Sequence, residues 1–176
     1  MCDLLKAHNA YVLKADDIVH DLLSQDAITI QQVKEEFGES VIQNGKVDRK
    51  TLATRVFTRP DQLNKLEQIL HPKVVQTIKN AYTSTDKLFV VEIPLLFEIG
   101  FDTWFDEILF VTANKELSKK RFIAKGFTEE QFEKRLKRFL PNRESKNITL
   151  IENNGSLEEL KQQVDRWIKK TNKRDL

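Results

Sequence analysis

Cysteine is all but absent from this sequence, methionine occurs once, and no run of apolar residues is long. A lone Cys2 excludes an internal disulfide and a multi-cysteine zinc site. Nothing approaches the roughly 18 consecutive apolar residues that a membrane-spanning helix needs. The start of the chain also lacks the basic, apolar and small-residue regions of a signal peptide. An excess of one charge is missing too: 29 basic side chains stand against 27 acidic ones, for a net charge of +2. No global field calls for a nucleic acid or a membrane as partner, and any basic function has to be local. These absences make the cytosol the default compartment.

With 176 residues, 40% of them hydrophobic and 32% charged, the chain has the length and apolar content for one ordinary globular domain. Leu4, Leu5 and His8 share a helical face, so the chain opens inside a helix whose first N–H groups have no preceding cap residue. Short apolar runs follow at Tyr11–Leu13, Leu88–Ile93, Ile108–Val111 and Ile148–Ile151. Each is rich in β-branched or aromatic residues and apolar throughout, which predicts strands of a parallel sheet covered on both faces. Between them lie helical patterns. Pro60 occupies a first helical position ahead of Leu63, Leu66, Ile69 and Leu70, and Thr128 with Gln131 and Ser156 with Glu159 have capping-box spacing. Alternation of strand and helix predicts an α/β fold that binds ligands at the carboxyl ends of its strands.

Polar residues stand at those exits. Asp16 and Asp17 after the first run either cap a helix over 18–23 or aim a carboxylate at a substrate hydroxyl. Glu92 is either a solvated or paired charge at a strand exit or a water-mediated magnesium ligand. In Glu92-Ile93-Pro94-Leu95-Leu96-Phe97-Glu98, Pro94 ends the ladder while the next three residues stay apolar; they either pack under a helix or wall a pocket. His71 before Pro72 reads equally as a helix kink with a satisfied imidazole. The basic run over 119–146, which includes Lys119, Arg121, Lys125, Arg135, Arg143 and Lys146, is offset in part by Glu129, Glu130, Glu133 and Glu144. It suits a solvated face, an arginine-bearing lid over phosphates, or a nucleic-acid surface.

Taken in order, these stretches resemble the dephospho-coenzyme A kinases, a family of P-loop enzymes. The family's D-A-D-x-I-x-H is similar to Lys14-Ala15-Asp16-Asp17-Ile18-Val19-His20. Its D-G-x-x-D-R-x-x-L is similar to the stretch from Asn44 to Leu52, with Asp48-Arg49 at the matching place, and its L-x-x-I-x-H-P to Leu66 through Pro72. D-V-P-L-L-F-E matches Glu92 to Glu98, and I-D-N-x-G matches Ile151 to Gly155. The resemblance implies a three-layer α/β fold, the parallel-sheet P-loop kinase fold with a helical lid, forming one domain over 1–176. Within it a helical CoA-binding region would cover about 18–86 and the lid about 115–146. It also implies transfer of the ATP γ-phosphoryl group to the ribose 3′-hydroxyl of dephospho-CoA by a cytoplasmic monomer, with ATP and Mg²⁺ and no nucleic acid or membrane.

By the same resemblance Asp16 would orient or deprotonate the hydroxyl, with Arg121 and Arg135 as the other catalytic residues. His71, Pro94, Leu95, Leu96 and Glu98 would line the acceptor site. Lys125, Asn153 and Gly155 would hold the nucleotide, and Glu92 the metal. Three departures stand out: Lys14 replaces the first family aspartate, Lys125 stands near a lid arginine's place, and Phe139 replaces a lid glutamine. The largest is that G-x-x-x-x-G-K-[ST], which supplies a backbone cradle, a lysine and a magnesium-binding hydroxyl, does not occur. The only Gly-Lys pair, Gly45-Lys46, is followed by Val47 and reads with Asn44 as a turn. The Walker lysine's place would fall just upstream of Met1. The expectation is a chain without the first central strand and phosphate loop, which is either a kinase cut short or a non-catalytic CoA- or partner-binding protein.

Overall fold

Every apolar run singled out above forms a strand in the computed structural model, which describes residues 1–56, 59–94, 96–97, 100–136 and 147–171. In chain order the elements are α1 (Cys2–Ala7), β1 (Tyr11–Lys14), α2 (Ala15–Gln25), α3 (Ala27–Phe37), β2 (Ile42–Gln43), β3 (Lys46–Val47), α4 (Arg49–Val56) and α5 (Pro60–Tyr82). Then come β4 (Phe89–Glu92), β5 (Ile108–Thr112), α6 (Lys115–Ala124), α7 (Glu129–Leu136), β6 (Ile148–Glu152) and α8 (Leu157–Thr171). They fall into two compact units, one over Asn9–Ile93 and one made of Met1–His8 with the described part of Pro94–Leu176.

In the unit over Asn9–Ile93, β1 and β4 pair in parallel, in register from Tyr11 opposite Phe89 to Lys14 opposite Glu92. Ile18 of α2 with Val74 and Ile78 of α5 forms a cluster against Leu13, Phe89 and Val91, which fastens both helices to this strand pair. A larger core joins Leu23, Val33, Phe37, Val41, Leu52 and Leu70 across α2, α3, α4 and α5. Val33 and Phe37 are fully buried; each buried side chain of this size contributes roughly 1.5–3 kcal/mol of transfer free energy. Pro60 stands at the start of α5, where its missing N–H is no loss, and Leu63, Leu66, Ile69 and Leu70 pack against the core. β2 and β3 form an antiparallel hairpin around Asn44 (φ 52°) and Gly45 (φ 74°). Two positive φ values in a two-residue loop are what a type I′ turn requires, and Asn-Gly supplies them at least cost.

In the other unit β5 and β6 pair in parallel, in register from Ile108 opposite Ile148 to Thr112 opposite Glu152. α8 packs on β6, and α1 packs on α8. Leu5, Ile108, Ile151, Leu160, Val164, Trp167 and Ile168 are buried here. Glu107 accepts the indole N–H of Trp167 at 3.0 Å and the hydroxyl hydrogen of Thr149, so a polar pair pins α8 to the start of β5. His8 at the end of α1 meets Asp165 of α8 at 2.6 Å. Both expected capping boxes form: Thr128 N–H to Gln131 Oε1 at 2.8 Å with Gln131 N–H to Thr128 Oγ1 at 3.2 Å, and Ser156 N–H to Glu159 Oε2 at 2.7 Å with Glu159 N–H to Ser156 Oγ at 3.2 Å.

The strands are parallel as expected, but the expected cover on both faces is not found. Tyr11, Val111 and Leu150 keep 38%, 41% and 54% of their surface exposed. Each parallel sheet among the described residues has two strands, so each of these strands has one hydrogen-bonded neighbour there. No helix among the described residues is long and apolar enough to cross a membrane.

Candidate functional site

The carboxyl ends of the two parallel pairs carry the polar residues, each within its own unit. At the first, β1 runs directly into α2: Lys14 ends the strand, and Asp16 and Asp17 lie in the first helical turn. The helix-cap reading of these aspartates is therefore set aside. The cap position belongs to Lys14, with no side-chain cap bond, because the helix begins at Ala15 rather than near Ile18. Asp16 is exposed and makes no hydrogen bond or ion pair among the described residues. Its negative charge is favoured by the free N–H groups of the helix start, so the carboxylate is supported yet open to a ligand. Glu92, also exposed, ends β4 in register with Lys14, so the fold brings Glu92 and the turn bearing Asp16 to the same end of one strand pair.

One helical turn beyond Asp16, His20 Nδ1 lies 3.3 Å from Arg49 Nη1 at the start of α4. Arg49 is set there by Asp48, which accepts the N–H of Lys50 at 3.1 Å and the hydroxyl hydrogen of Thr51. The Thr51 hydroxyl bond holds the Asp48 carboxyl below its ordinary value. His20 and Arg49 were not among the expected site residues, although both lie inside the motif stretches quoted above. The signal available was that position. His71 lies half-buried inside α5, and the helix continues through Pro72 to Tyr82. Having no N–H, Pro72 leaves the Gln68 carbonyl without its helical donor next to His71.

After β4, Pro94 forms a turn, and Phe97 lies against Phe110 of β5 with ring centroids 6.1 Å apart. That contact favours the packing reading for Phe97. Pro94 and Leu96 are half-buried; Leu95 and Glu98 lie outside the described residues, as do Phe139, Arg143 and Lys146 of the basic run. The end of β6 is tied to β5 and to α6: Asn153 N–H donates to the Thr112 carbonyl at 2.7 Å, and Arg121 Nη1 donates to the Asn153 carbonyl at 2.7 Å. Asn154 Oδ1 accepts the N–H of Asn114 at 2.7 Å, and Asn114 Oδ1 in turn caps α6 by accepting Leu117 N–H at 2.8 Å. Arg121 and Asn153, expected on separate grounds, are thus brought together. A Cβ at Gly155 would lie 1.7 Å from Glu159 Oε2, the oxygen that completes the capping box, so a larger residue here would displace that side chain end.

Among the described residues, three acids at the basic run pair with lysines. Lys115 pairs with Glu133 at 2.9 Å, Lys134 with Glu130 at 2.7 Å, and Lys119 with Glu129, whose hydrogen bond raises the Lys119 pKa. Arg121 binds only the Asn153 carbonyl, and the side chains of Arg135 and Lys125, both exposed, have no hydrogen bond or ion pair among the described residues. Among the described residues no three His, Cys, Asp or Glu side chains gather to hold a metal ion. Magnesium at a nucleotide needs only one or two protein carboxylates besides phosphate and water oxygens, a share that Glu92 fits.

Comparison with known proteins agrees with this geometry. The family model for dephospho-CoA kinase matches residues 1–159. Curated dephospho-CoA kinases from Chlamydia pneumoniae and Aquifex aeolicus are each 34% identical, over 94% and 93% of this chain and 86% of their own lengths. That of Protochlamydia amoebophila is 36% identical over 93% of this chain and 85% of its own. Among solved structures, a Thermus thermophilus protein superposes with a TM-score of 0.81 at 27% identity, covering 96% of this chain and 88% of its own. The dephospho-CoA kinase from Campylobacter jejuni superposes with a TM-score of 0.72 at 26% identity, covering 99% and 91%. With a family model spanning residues 1–159 and relatives alike over nearly its whole length, the chain belongs to the dephospho-CoA kinase family.

Proposed function

We propose that the protein is a dephospho-CoA kinase working as a cytoplasmic monomer, with a single dephospho-CoA-kinase-like domain over 1–176 that holds a helical CoA-binding region at about 18–86 and a lid at about 115–146. It transfers the γ-phosphoryl group of ATP to the ribose 3′-hydroxyl of dephospho-CoA. Asp16 accepts the hydroxyl's hydrogen bond and takes its proton as the oxygen attacks the γ-phosphorus; the bond to the bridging β,γ oxygen breaks and ADP leaves. Charge in this loose transition state spreads over the phosphoryl oxygens. Arg121 and Arg135 supply guanidinium donors for it, and neither has an acidic partner among the described residues, which supports the role. Glu92 would hold Mg²⁺ through water, and the ion would neutralise phosphate charge. His71, Pro94 and Leu96, with Leu95 and Glu98, line the acceptor site, while Lys125, Asn153 and Gly155 serve the nucleotide.

The observation that carries the proposal is the open carboxylate of Asp16 in the first turn of α2, beside a strand end it shares with Glu92. The phosphate cradle is not among these residues, since the sequence holds no G-x-x-x-x-G-K-[ST]. The test is the formation of 3′-phosphorylated CoA from dephospho-CoA and ATP, which is expected. Nucleotide-independent CoA binding without product would favour a non-catalytic binding protein instead.

A further inference from the structure

The loop from Glu152 to Gly155 is held by a device that the family motifs do not include. Gln163, half-buried on α8, donates through Nε2 to the Glu152 carbonyl at 2.7 Å and accepts Glu152 N–H through Oε1 at 3.0 Å. Its primary amide acts as a peptide group would in a neighbouring strand, satisfying both backbone groups of one residue at once. The next residue is equally committed: Asn153 N–H goes to the Thr112 carbonyl and its carbonyl to Arg121, each at 2.7 Å. Asn154 spends its side-chain oxygen on Asn114 N–H at 2.7 Å. Glu152 and Asn153 are thus fastened from three elements, β5, α6 and α8, and have no backbone N–H left for a ligand. What this loop retains for a ligand is the Asn153 side chain and the backbone groups of Asn154 and Gly155, which make no hydrogen bond among the described residues.

We infer that Gln163 is a positioning residue for nucleotide selection: by clamping Glu152 it fixes the loop so that the Asn153 side chain and the Asn154–Gly155 backbone present one set of polar groups to the purine of the phosphoryl donor. This rests on the assignment of Asn153 and Gly155 to the nucleotide. Gln163 bonds to Glu152 and not to Asn153, whose carbonyl Arg121 holds, so its loss is expected to act on affinity and base choice rather than on the reacting phosphate.

The test uses the complete gene product with saturating dephospho-CoA and either ATP or GTP. Gln163→Met keeps the side chain's length and removes both hydrogen bonds; the freed Glu152 groups are exposed and can be hydrated. It is expected to raise the KM for ATP about tenfold, near 1.4 kcal/mol, with kcat within about twofold, and to narrow the preference for ATP over GTP. Gln163→Glu, which retains the acceptor for Glu152 N–H but not the donor, is expected to fall between the two, and it decides the question if Gln163→Met does not fold. A lowered melting temperature with unchanged KM and base preference would overturn the inference and leave Gln163 a purely structural clamp. Asn153→Ala, assayed alongside, separates the two layers. If it raises the KM for ATP while the Gln163 variants do not, only the positioning role fails. If none of these variants alters the KM for ATP, the nucleotide assignment fails with it.

Discussion

Asp16 and the arginines of the basic run show how much the proposed roles depend on what a side chain is not bonded to. Asp16 is charged, exposed and without a partner among the described residues, at a helix start that favours its charge. Asp16→Asn is expected to lower turnover by roughly a hundredfold or more while ATP binding changes little, because the lost acceptor acts in the transition state; steady-state kinetics and an ATP titration on the complete gene product would measure both. The lid offers an internal control. Arg135 has no acidic partner among the described residues, whereas the adjacent Lys134 is paired with Glu130 at 2.7 Å. Arg135→Ala is expected to reduce kcat/KM for ATP well over tenfold. Lys134→Ala, which breaks an exposed i,i+4 pair, is expected to leave it within about twofold. Equal effects from the two would return the run to a solvated face.

At the scale of elements, the apolar runs and the capping boxes were legible, and the elements between them were less so. The strands announced themselves through β-branched and aromatic content, and Thr128 and Ser156 through the partner three residues on. α3 was hidden because Ile28-Thr29-Ile30 reads locally as strand. The helix forms because Asp26 caps it, accepting Thr29 N–H at 3.0 Å, and because Thr29, Val33 and Phe37 on one face are buried. The degree of strand burial was illegible for another reason: how many strands flank a given one is a long-range property. Among the proposed site residues, Asp16, Arg121 and Asn153 could be picked from motif positions, but the bond joining Arg121 to Asn153 spans distant segments and needed the fold.

Asp26 gives this scale its experiment. Hydrogen bonds from Thr29 and Lys73, the latter at 2.9 Å, hold its carboxyl down at about 2 against an ordinary 3.8. A folded pKa below the unfolded one means stability that is fully present above 3.8 and is lost as the pH falls towards 2. Asp26→Asn keeps a good cap and removes the titrating charge, so its urea midpoint is expected to lose less between those two pH values than the wild type's. Asp26→Ala removes the cap as well and is expected to cost about 1 kcal/mol at neutral pH. A parallel acid profile for Asp26→Asn would deny the carboxylate this part in stability.

For the whole molecule, two compact units each set polar residues at the carboxyl ends of a parallel strand pair. This is the feature that the α/β alternation foretold and that membership of the dephospho-CoA kinase family makes chemically specific. The measurement that bears on it most directly is the formation of 3′-phosphorylated CoA from dephospho-CoA and ATP by the complete gene product, wild type beside Asp16→Asn. ATP-dependent product from the wild type and a loss of roughly a hundredfold or more in the variant are expected. Absence of product from the folded wild type, or near-normal turnover by Asp16→Asn, would contradict it.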